Sequence, residues 1–203
     1  SRLLYGGRFS LGLGIISAVT STAVAIVLGS IAGYFGGWVD NLIMRICDVL
    51  QSIPGMLLSI IISATLGVGF VNTVIALSVG GIAGGIRMLR GQILGIRKEE
   101  YLEAAMTVNC SPARIMFRHI LPNAVPVLLP AVTIGFNNAV LAEASMSYLG
   151  IGVQPPDASL GRMLAEAQVY LKNAPWYVLF VGLTIVLLIL GFSLLGEGLQ
   201  RKK

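Results

Sequence analysis

The sequence predicts an all-α fold, a bundle of helices that crosses a membrane several times. Of the 203 residues, 56% are hydrophobic and only 11% are charged, whereas soluble domains carry roughly 25% charged residues. The mean hydropathy is +0.86. Because most residues are committed to membrane spans, there is no room for a separate soluble domain of ordinary size. We therefore predict one transmembrane domain over residues 1–203.

Five apolar segments reach the length of about 20 residues that a helix needs to cross a bilayer. The predicted spans are Phe9–Gly33, Leu42–Leu66, Val71–Ile93, Ala124–Leu149 and Pro175–Leu195. Rows of glycine in the first and third spans favour close packing between helices, with a gating hinge as the alternative. These rows are Gly29, Gly33 and Gly37 near the first span, and Gly80, Gly81, Gly84 and Gly85 in the third.

The second span contains a short group of polar residues followed by a proline. Asp48 and Ser52 precede Pro54, and a proline inside a helix removes a hydrogen bond and bends the backbone. One interpretation is a kink that only accommodates neighbouring helices. The other is that Asp48 faces a translocation path.

The longest polar interruption, residues 97–122, is patterned as two short helices joined by a turn, and we call it the polar loop. Asn109 stands where the first helix would end, and asparagine readily takes the left-handed conformation found there. Ser111 and Pro112 are typical of an N-cap followed by the first helical position. Pro122 is expected to end the second helix. Such a loop between two spans predicts a docking surface on one face of the bilayer.

The basic residues predict the orientation of the chain. If the polar loop is cytoplasmic, ten of the 14 Lys and Arg residues fall on or near that side, as the positive-inside rule requires. The N-terminus is then external and the C-terminus cytoplasmic. Because these residues sit at span ends without interleaved aromatic residues, membrane topology explains the net charge of +5 and nucleic-acid binding does not.

Residues 150–174 are external in this topology. Apolar residues recur at helical spacing from Ala158 to Leu171, which predicts a short helix lying on the membrane interface. Trp176 and Tyr177 would anchor the start of the last span among the lipid headgroups.

The fourth span carries polar side chains at membrane depth, where ionisable groups are costly and usually face a cavity or the interior of a bundle. We expect Asn137, Asn138, Glu143 and Ser145 to line the translocation path or its outer gate. The alternative is that Glu143 is hydrated at the external interface or pairs with a neighbouring helix.

No catalytic residues are predicted. The sequence has no Gly-Lys-Ser or Gly-Lys-Thr of a P-loop, and its single histidine, His119, lies in the polar loop rather than in a plausible triad. Two cysteines and one histidine do not predict a metal site. We expect no cofactor in this chain, so any ATP must be bound by a partner.

The polar loop resembles the EAA loop of bacterial ABC-importer permeases, in which Glu-Ala-Ala, a glycine and Ile-x-Leu-Pro follow at fixed spacing. Asn109 replaces the glycine and His119 replaces the isoleucine, while Arg118–Asn123 read as in the dipeptide, oligopeptide and nickel branch. The residues matching the EAA pattern are Glu103, Ala104, Ala105, Leu121 and Pro122. Other landmarks of that branch are Arg2–Arg8, Gly33–Asp40, Gly150–Pro156 and Ala174–Trp176.

The resemblance implies a type I ABC-importer permease fold in the bacterial inner membrane, with the usual first span missing from this chain. It implies that two homologous permeases enclose the path, that two ATPase subunits bind ATP and Mg, and that an extracellular binding protein delivers a peptide, nickel or a metal chelate. Arg114 and Arg118 would pair with acidic residues of the partner, or else form a solvated or lipid-facing basic surface. The implied coupling residues are Glu103, Ala104, Ala105, Asn109, Arg114, Arg118, Leu121 and Pro122.

Two other functions remain open at the level of the sequence. A secondary transporter would show inverted repeats with broken helices that carry ionisable groups, and no convincing internal repeat is present. A membrane scaffold without a pore would explain the apolar spans but would leave the polar loop and Glu143 without a role.

Overall fold

The computed structural model describes residues 2–102, 110–154 and 157–200, and among these there are helices and no strand. Glu103, Ala104, Ala105 and Asn109, which belong to the predicted coupling residues, lie outside the described residues. In chain order the elements are α1 (Arg2–Phe35), α2 (Gly37–Gln51), α3 (Gly55–Leu66), α4 (Phe70–Ile96), α5 (Pro112–Arg114), a π-helical turn (Ile115–Ile120), α6 (Leu121–Tyr148), α7 (Leu160–Val169) and α8 (Pro175–Gln200).

Three helices, α1, α4 and α8, are each long and apolar enough to cross a membrane, and two bent pairs raise the total to five if each pair is one span. The predicted number of spans is therefore obtained only by counting the bent pairs. The helices extend beyond some predicted bounds, most clearly at α1, which begins at Arg2 rather than Phe9.

The second predicted span is two helices rather than one kinked helix. The axes of α2 and α3 meet at 83°, and Pro54 is the N-cap of α3. A proline disfavours helical backbone at the residue before it and has no N–H to continue the ladder. The hydroxyl of Ser52 donates to the carbonyl of Val49 at 2.7 Å and so satisfies one carbonyl at the end of α2.

The predicted end of the loop helix at Pro122 is wrong. Ser111 does cap α5, accepting from the amide of Arg114 with Pro112 in the first turn, but the helical backbone then continues through Pro122 into α6. Pro122 lies in the first turn of α6, where a missing N–H is tolerated. The bend falls later: Pro112–Ala124 and Leu128–Tyr148 meet at 64°, around Pro126, which lies inside the helix.

Small residues set the spacing between α1 and α4. A Cβ atom on Gly33 would lie 2.9 Å from side-chain atoms of Ile93, and one on Gly85 would lie 2.8 Å from the Cβ of Ala25. These distances are too short for any larger residue, so the close-packing interpretation holds for this pair of helices. Gly37 does not share this role: it is the first residue of α2, with a positive φ of 56°, and no atom of the described residues lies within 4 Å of a Cβ placed there.

The predicted interfacial helix is α7, which the structure bounds at Leu160–Val169. We call residues 150–174 the α7 segment. Its inner side packs on α6 and α8, where Leu160 and Met163 join Val181 in one buried apolar cluster. Ser159 caps α7 by accepting from the amide of Arg162 at 3.2 Å.

Candidate functional site

A cavity of about 490 Å³ lies among α1, α3, α4 and α6. Its wall is built largely of glycine, serine and alanine, which keep the surrounding backbones close to the open space. None of the described side chains in the wall is ionisable. The polar and small wall residues are Ser17, Ser21, Thr22, Gly55, Ser59, Gly80, Gly81, Gly84, Gly85, Gly135, Asn138 and Ser145, with Met56, Leu77 and Met88 among the apolar ones.

The glycines of α4 have two roles along one helix. Gly80 packs against α3, since its Cβ would lie 2.6 Å from Oγ of Ser59 and 3.0 Å from the carbonyl oxygen of Gly55. Gly84 faces the cavity, where only the side chain of Gln51 comes within 3.8 Å. The cavity therefore exists partly because α4 presents hydrogen atoms in place of side chains.

Two of the predicted path residues lie in the cavity wall, Asn138 and Ser145. They are seven positions apart on α6, which places them on one face of the helix. Asn137 points elsewhere: its amide group donates to the hydroxyl of Ser193 on α8 at 2.8 Å. The amide thus joins two helices instead of lining the cavity.

Asp48 and Glu143 also lie away from the cavity wall. Asp48 forms an ion pair with Arg87 of α4, and just over half of its side chain is exposed. Glu143 is 1% exposed and accepts hydrogen bonds from the hydroxyls of Ser10 at 3.0 Å and Ser147 at 2.7 Å. Contact with a neighbouring helix, the alternative stated for Glu143, is what the geometry shows. The expectation that it lines the path does not fit its burial.

Arginines near the end of α4 tie that helix to its neighbours, an arrangement that sequence reasoning missed. Arg90 binds the Asp40 carboxylate through two nitrogens, both at 2.5 Å. Arg97 donates to the carbonyl of Tyr34 at 2.8 Å at the C-terminus of α1, where a cation is favoured by the helix dipole. The spacing of Asp40 and Asp48 on α2, opposite Arg87 and Arg90 on α4, was the available clue.

The described part of the polar loop rests on an apolar cluster. Leu102, Ile115 and Ile120 are buried there with residues of α4 and α6. The side chain of Asn123 donates to the hydroxyl of Tyr101 at 3.1 Å and to the carbonyl of His119 at 2.7 Å. These contacts fasten the start of the loop to its end.

The predicted coupling residues that the structure describes lie on the surface of this loop. Arg114, Arg118 and Pro122 are exposed, and Leu121 is half-buried. Phe117, which the sequence analysis did not single out, is 72% exposed. A large exposed aromatic residue that lies between two exposed arginines in the chain is typical of a surface that a partner covers.

A multi-pass helical bundle with a small-residue cavity and an exposed polar loop is the architecture of a membrane permease. Comparison with known proteins makes the family explicit: residues 25–203 match the family described as "Binding-protein-dependent transport system inner membrane component". The chain belongs to this family.

Similar curated proteins are transport permeases. The chain is 38% identical over 200 residues to the dipeptide transport system permease protein DppC of Alkalihalophilus pseudofirmus. It is 40% identical over 200 residues to the glutathione transport system permease protein GsiD of Pectobacterium atrosepticum. In both alignments the match covers 98% of this chain and 66% of the relative, so the chain spans just under two thirds of their length.

Solved structures show the same fold. A chain of the MetNI methionine ABC transporter in an inward-facing conformation superimposes with a TM-score of 0.82 at 20% identity, covering 98% of this chain and 95% of the other. A chain from the crystal structure of an amino acid ABC transporter with histidines gives a TM-score of 0.77 at 18% identity, covering 100% and 94%. The predicted type I ABC-importer permease fold is confirmed.

Proposed function

We propose that this chain is the path-forming permease subunit of an ATP-driven importer, with a small peptide as its cargo. The observation that carries the proposal is the cavity among α1, α3, α4 and α6, in a chain that belongs to a family of transport permeases. Relatives named for dipeptide and glutathione transport favour a peptide over nickel or a metal chelate.

The chemistry of the cavity wall fits passage rather than tight binding. Serine hydroxyls, the Asn138 amide and glycine backbones offer hydrogen bonds to a peptide without a fixed charge that would retain one of its termini. The described wall residues include no ionisable group, whereas charged groups on broken helices are typical of a transporter that couples to an ion gradient.

In this proposal the chain performs no catalysis. Partner ATPase subunits bind ATP and Mg, dock on the polar loop through Glu103, Ala104, Ala105, Asn109 and neighbouring residues, and pass their closure to the helices. A homologous permease completes the path, and a binding protein delivers cargo at the opposite end. The C-terminus is cytoplasmic, which is supported by the arginines that gather at the loop end of α4.

The direct test is transport by the full complex in proteoliposomes. The permease is purified with the subunits that accompany it, and ATP-dependent uptake of a labelled dipeptide and of glutathione is measured. We expect an ATPase to co-purify and uptake to require ATP. If no ATPase accompanies the permease, or if uptake follows an ion gradient without ATP, the proposal is wrong.

A substitution inside the cavity tests whether this space is the path. Gly84→Leu would fill the cavity from α4, where the nearest side-chain atom is 3.8 Å from a Cβ. We expect uptake to fall at least about tenfold, which corresponds to roughly 1.4 kcal/mol, while the complex still assembles. Gly191→Leu on α8 is the matched control, since Gly191 has nothing within 4 Å of a Cβ. Equal uptake by both variants would place the path elsewhere.

A further inference from the structure

Glu143 is a buried carboxylate that the proposed path does not use. It is 1% exposed, and Ser10, Ser147 and Ser159 around it are each 0% exposed. Ser10 and Ser147 donate to its two oxygens at 3.0 and 2.7 Å. One hydroxyl on each oxygen of the carboxylate forms a built site, because burying a carboxylate without hydrogen bonds is prohibitively costly.

Each of these serines also accepts a backbone N–H from the α7 segment. The amide of Leu160 donates to Ser10 at 3.2 Å, that of Val153 to Ser147 at 3.1 Å, and that of Arg162 to Ser159 at 3.2 Å. The hydroxyl hydrogens of Ser10 and Ser147 are directed at Glu143. Two amides, of Leu160 and Val153, are thus linked to Glu143 through these two hydroxyls.

One of those two amides, that of Leu160, belongs to the first turn of α7. The amides of a helix N-terminus carry a partial positive charge, which a nearby carboxylate stabilises. The described residues give Glu143 no ion pair with Lys or Arg, so its polar contacts are the two serine hydroxyls and, through Ser10, the end of α7. The same contacts fix the position at which α7 begins.

Close backbone packing accompanies the network. A Cβ atom on Gly161 would lie 2.4 Å from the carbonyl oxygen of Ala144, and one on Gly152 would lie 2.3 Å from Oγ of Ser147. Gly152 and Gly161 of the α7 segment thus pack directly against α6, at Ser147 and Ala144. Other residues of the α7 segment are exposed: Val169 is 82% exposed and Tyr170 is 53% exposed.

We propose that Glu143 is a positioning residue whose carboxylate, through Ser10 and Ser147, holds the α7 segment in the orientation in which a cargo-delivering binding protein docks. The inference rests on the proposed function for its partner, which the family description names as binding-protein dependence. It explains why a carboxylate occupies this position: each of the two serines needs its own acceptor oxygen, and glutamine offers only one acceptor oxygen beside a donor group.

The test compares Glu143→Gln with Glu166→Gln in the full complex in nanodiscs. Glu166 lies on α7 in partly exposed ion pairs with Arg2 and Arg162, so it undergoes the same chemical change outside the network. Hydrogen–deuterium exchange is followed at the amides of Val153 and Leu160. We expect Glu143→Gln to speed exchange about tenfold, as for the loss of one buried hydrogen bond, and Glu166→Gln to leave it unchanged.

The second readout is ATPase activity against the concentration of the binding protein. We expect Glu143→Gln to raise severalfold the concentration of binding protein that gives half-maximal ATPase activity. The basal ATPase activity and the maximal rate should stay unchanged, whereas general instability would lower them as well. Unchanged exchange would overturn the network, and faster exchange with an unchanged half-maximal concentration would overturn the positioning role. A parental complex without ATPase activity would refute the proposed function, while exchange would still decide the network.

A second variant, Ser10→Ala, keeps the proposal testable if Glu143→Gln does not fold. Ser10→Ala removes one link only, so we expect faster exchange at Leu160 and no change at Val153, where Ser147 still accepts. If Ser10→Ala speeds both amides equally, the links are not separate and the proposed arrangement is wrong.

Discussion

The two ends of the bundle are joined by different chemistry. At the end that carries the α7 segment, Glu143 is 1% exposed and is hydrogen-bonded to buried serines. At the loop end, α2 is joined to α4 by arginine–aspartate pairs whose side chains are 11% to 52% exposed. The more exposed of these pairs, Asp48 with Arg87, contributes little to stability, whereas a buried hydrogen-bonded carboxylate is costly to disturb.

This difference indicates which end of the molecule is free to rearrange. Ser10 and Ser147 bond to the same carboxylate, so a change at Glu143 affects both contacts at once. The two pairs between α2 and α4 share no residue, so each can break without the other. An importer whose loop end must follow an ATPase, while its opposite end keeps a fixed docking surface, would need this asymmetry.

The largest expected effect is at the packing contact between the α7 segment and α6. Gly161→Ala would put a Cβ atom 2.4 Å from the carbonyl oxygen of Ala144, and overpacking of this kind costs about 3 kcal/mol. The apparent melting temperature of the purified permease should fall by several degrees. Gly7→Ala is the control, since nothing lies within 4 Å of that Cβ and alanine favours helix by about 1 kcal/mol. Equal melting temperatures for both variants would mean that the contact between Gly161 and Ala144 tolerates a methyl group, which would contradict the prediction.

A smaller effect separates the two ion pairs of the loop end. Asp40→Asn weakens a pair in which the Asp40 side chain is 11% exposed, and we expect a cost of about 2 kcal/mol. Asp48→Asn affects a side chain that is 52% exposed, and its cost should stay below about 1 kcal/mol. Chemical denaturation at low and high salt would measure both. If Asp48→Asn proved the more damaging, the distinction by exposure would fail.

The smallest effect is expected at the end of α1. Arg97→Gln removes the donor to the Tyr34 carbonyl and the guanidinium that lies 5.7 Å from the Tyr34 ring centroid. Together these contacts are worth about 1 kcal/mol. A change in melting temperature should be just measurable, and Lys98→Gln, one position further along, is the exposed control. A fall in melting temperature as large as that of Gly161→Ala would contradict the view that the contacts at the loop end are weak.

Membership of a helical membrane bundle and several helix ends could be predicted from the sequence. Hydropathy over about 20 residues depends only on neighbours in the chain, and so does capping. Ser111 therefore caps α5 and α7 falls within Ala158–Leu171 as predicted. The breaks within spans were harder to predict. The sequence predicts a kink at Pro54, but the angle of 83° between α2 and α3 depends on what α2 packs against.

The roles of the polar residues of α6 were decided by tertiary structure. Glu143 and Ser145 are two positions apart, so they face nearly opposite directions on a helix, one toward Ser10 and the other toward the cavity. Ser147, four positions after Glu143 and on the same face, was the local clue that Glu143 has a partner. Ser10 could not be inferred, because it lies 133 positions away and only the packing of α1 on α6 brings it there. Local composition determined where the helices are, and the fold determined which side of each helix meets which neighbour.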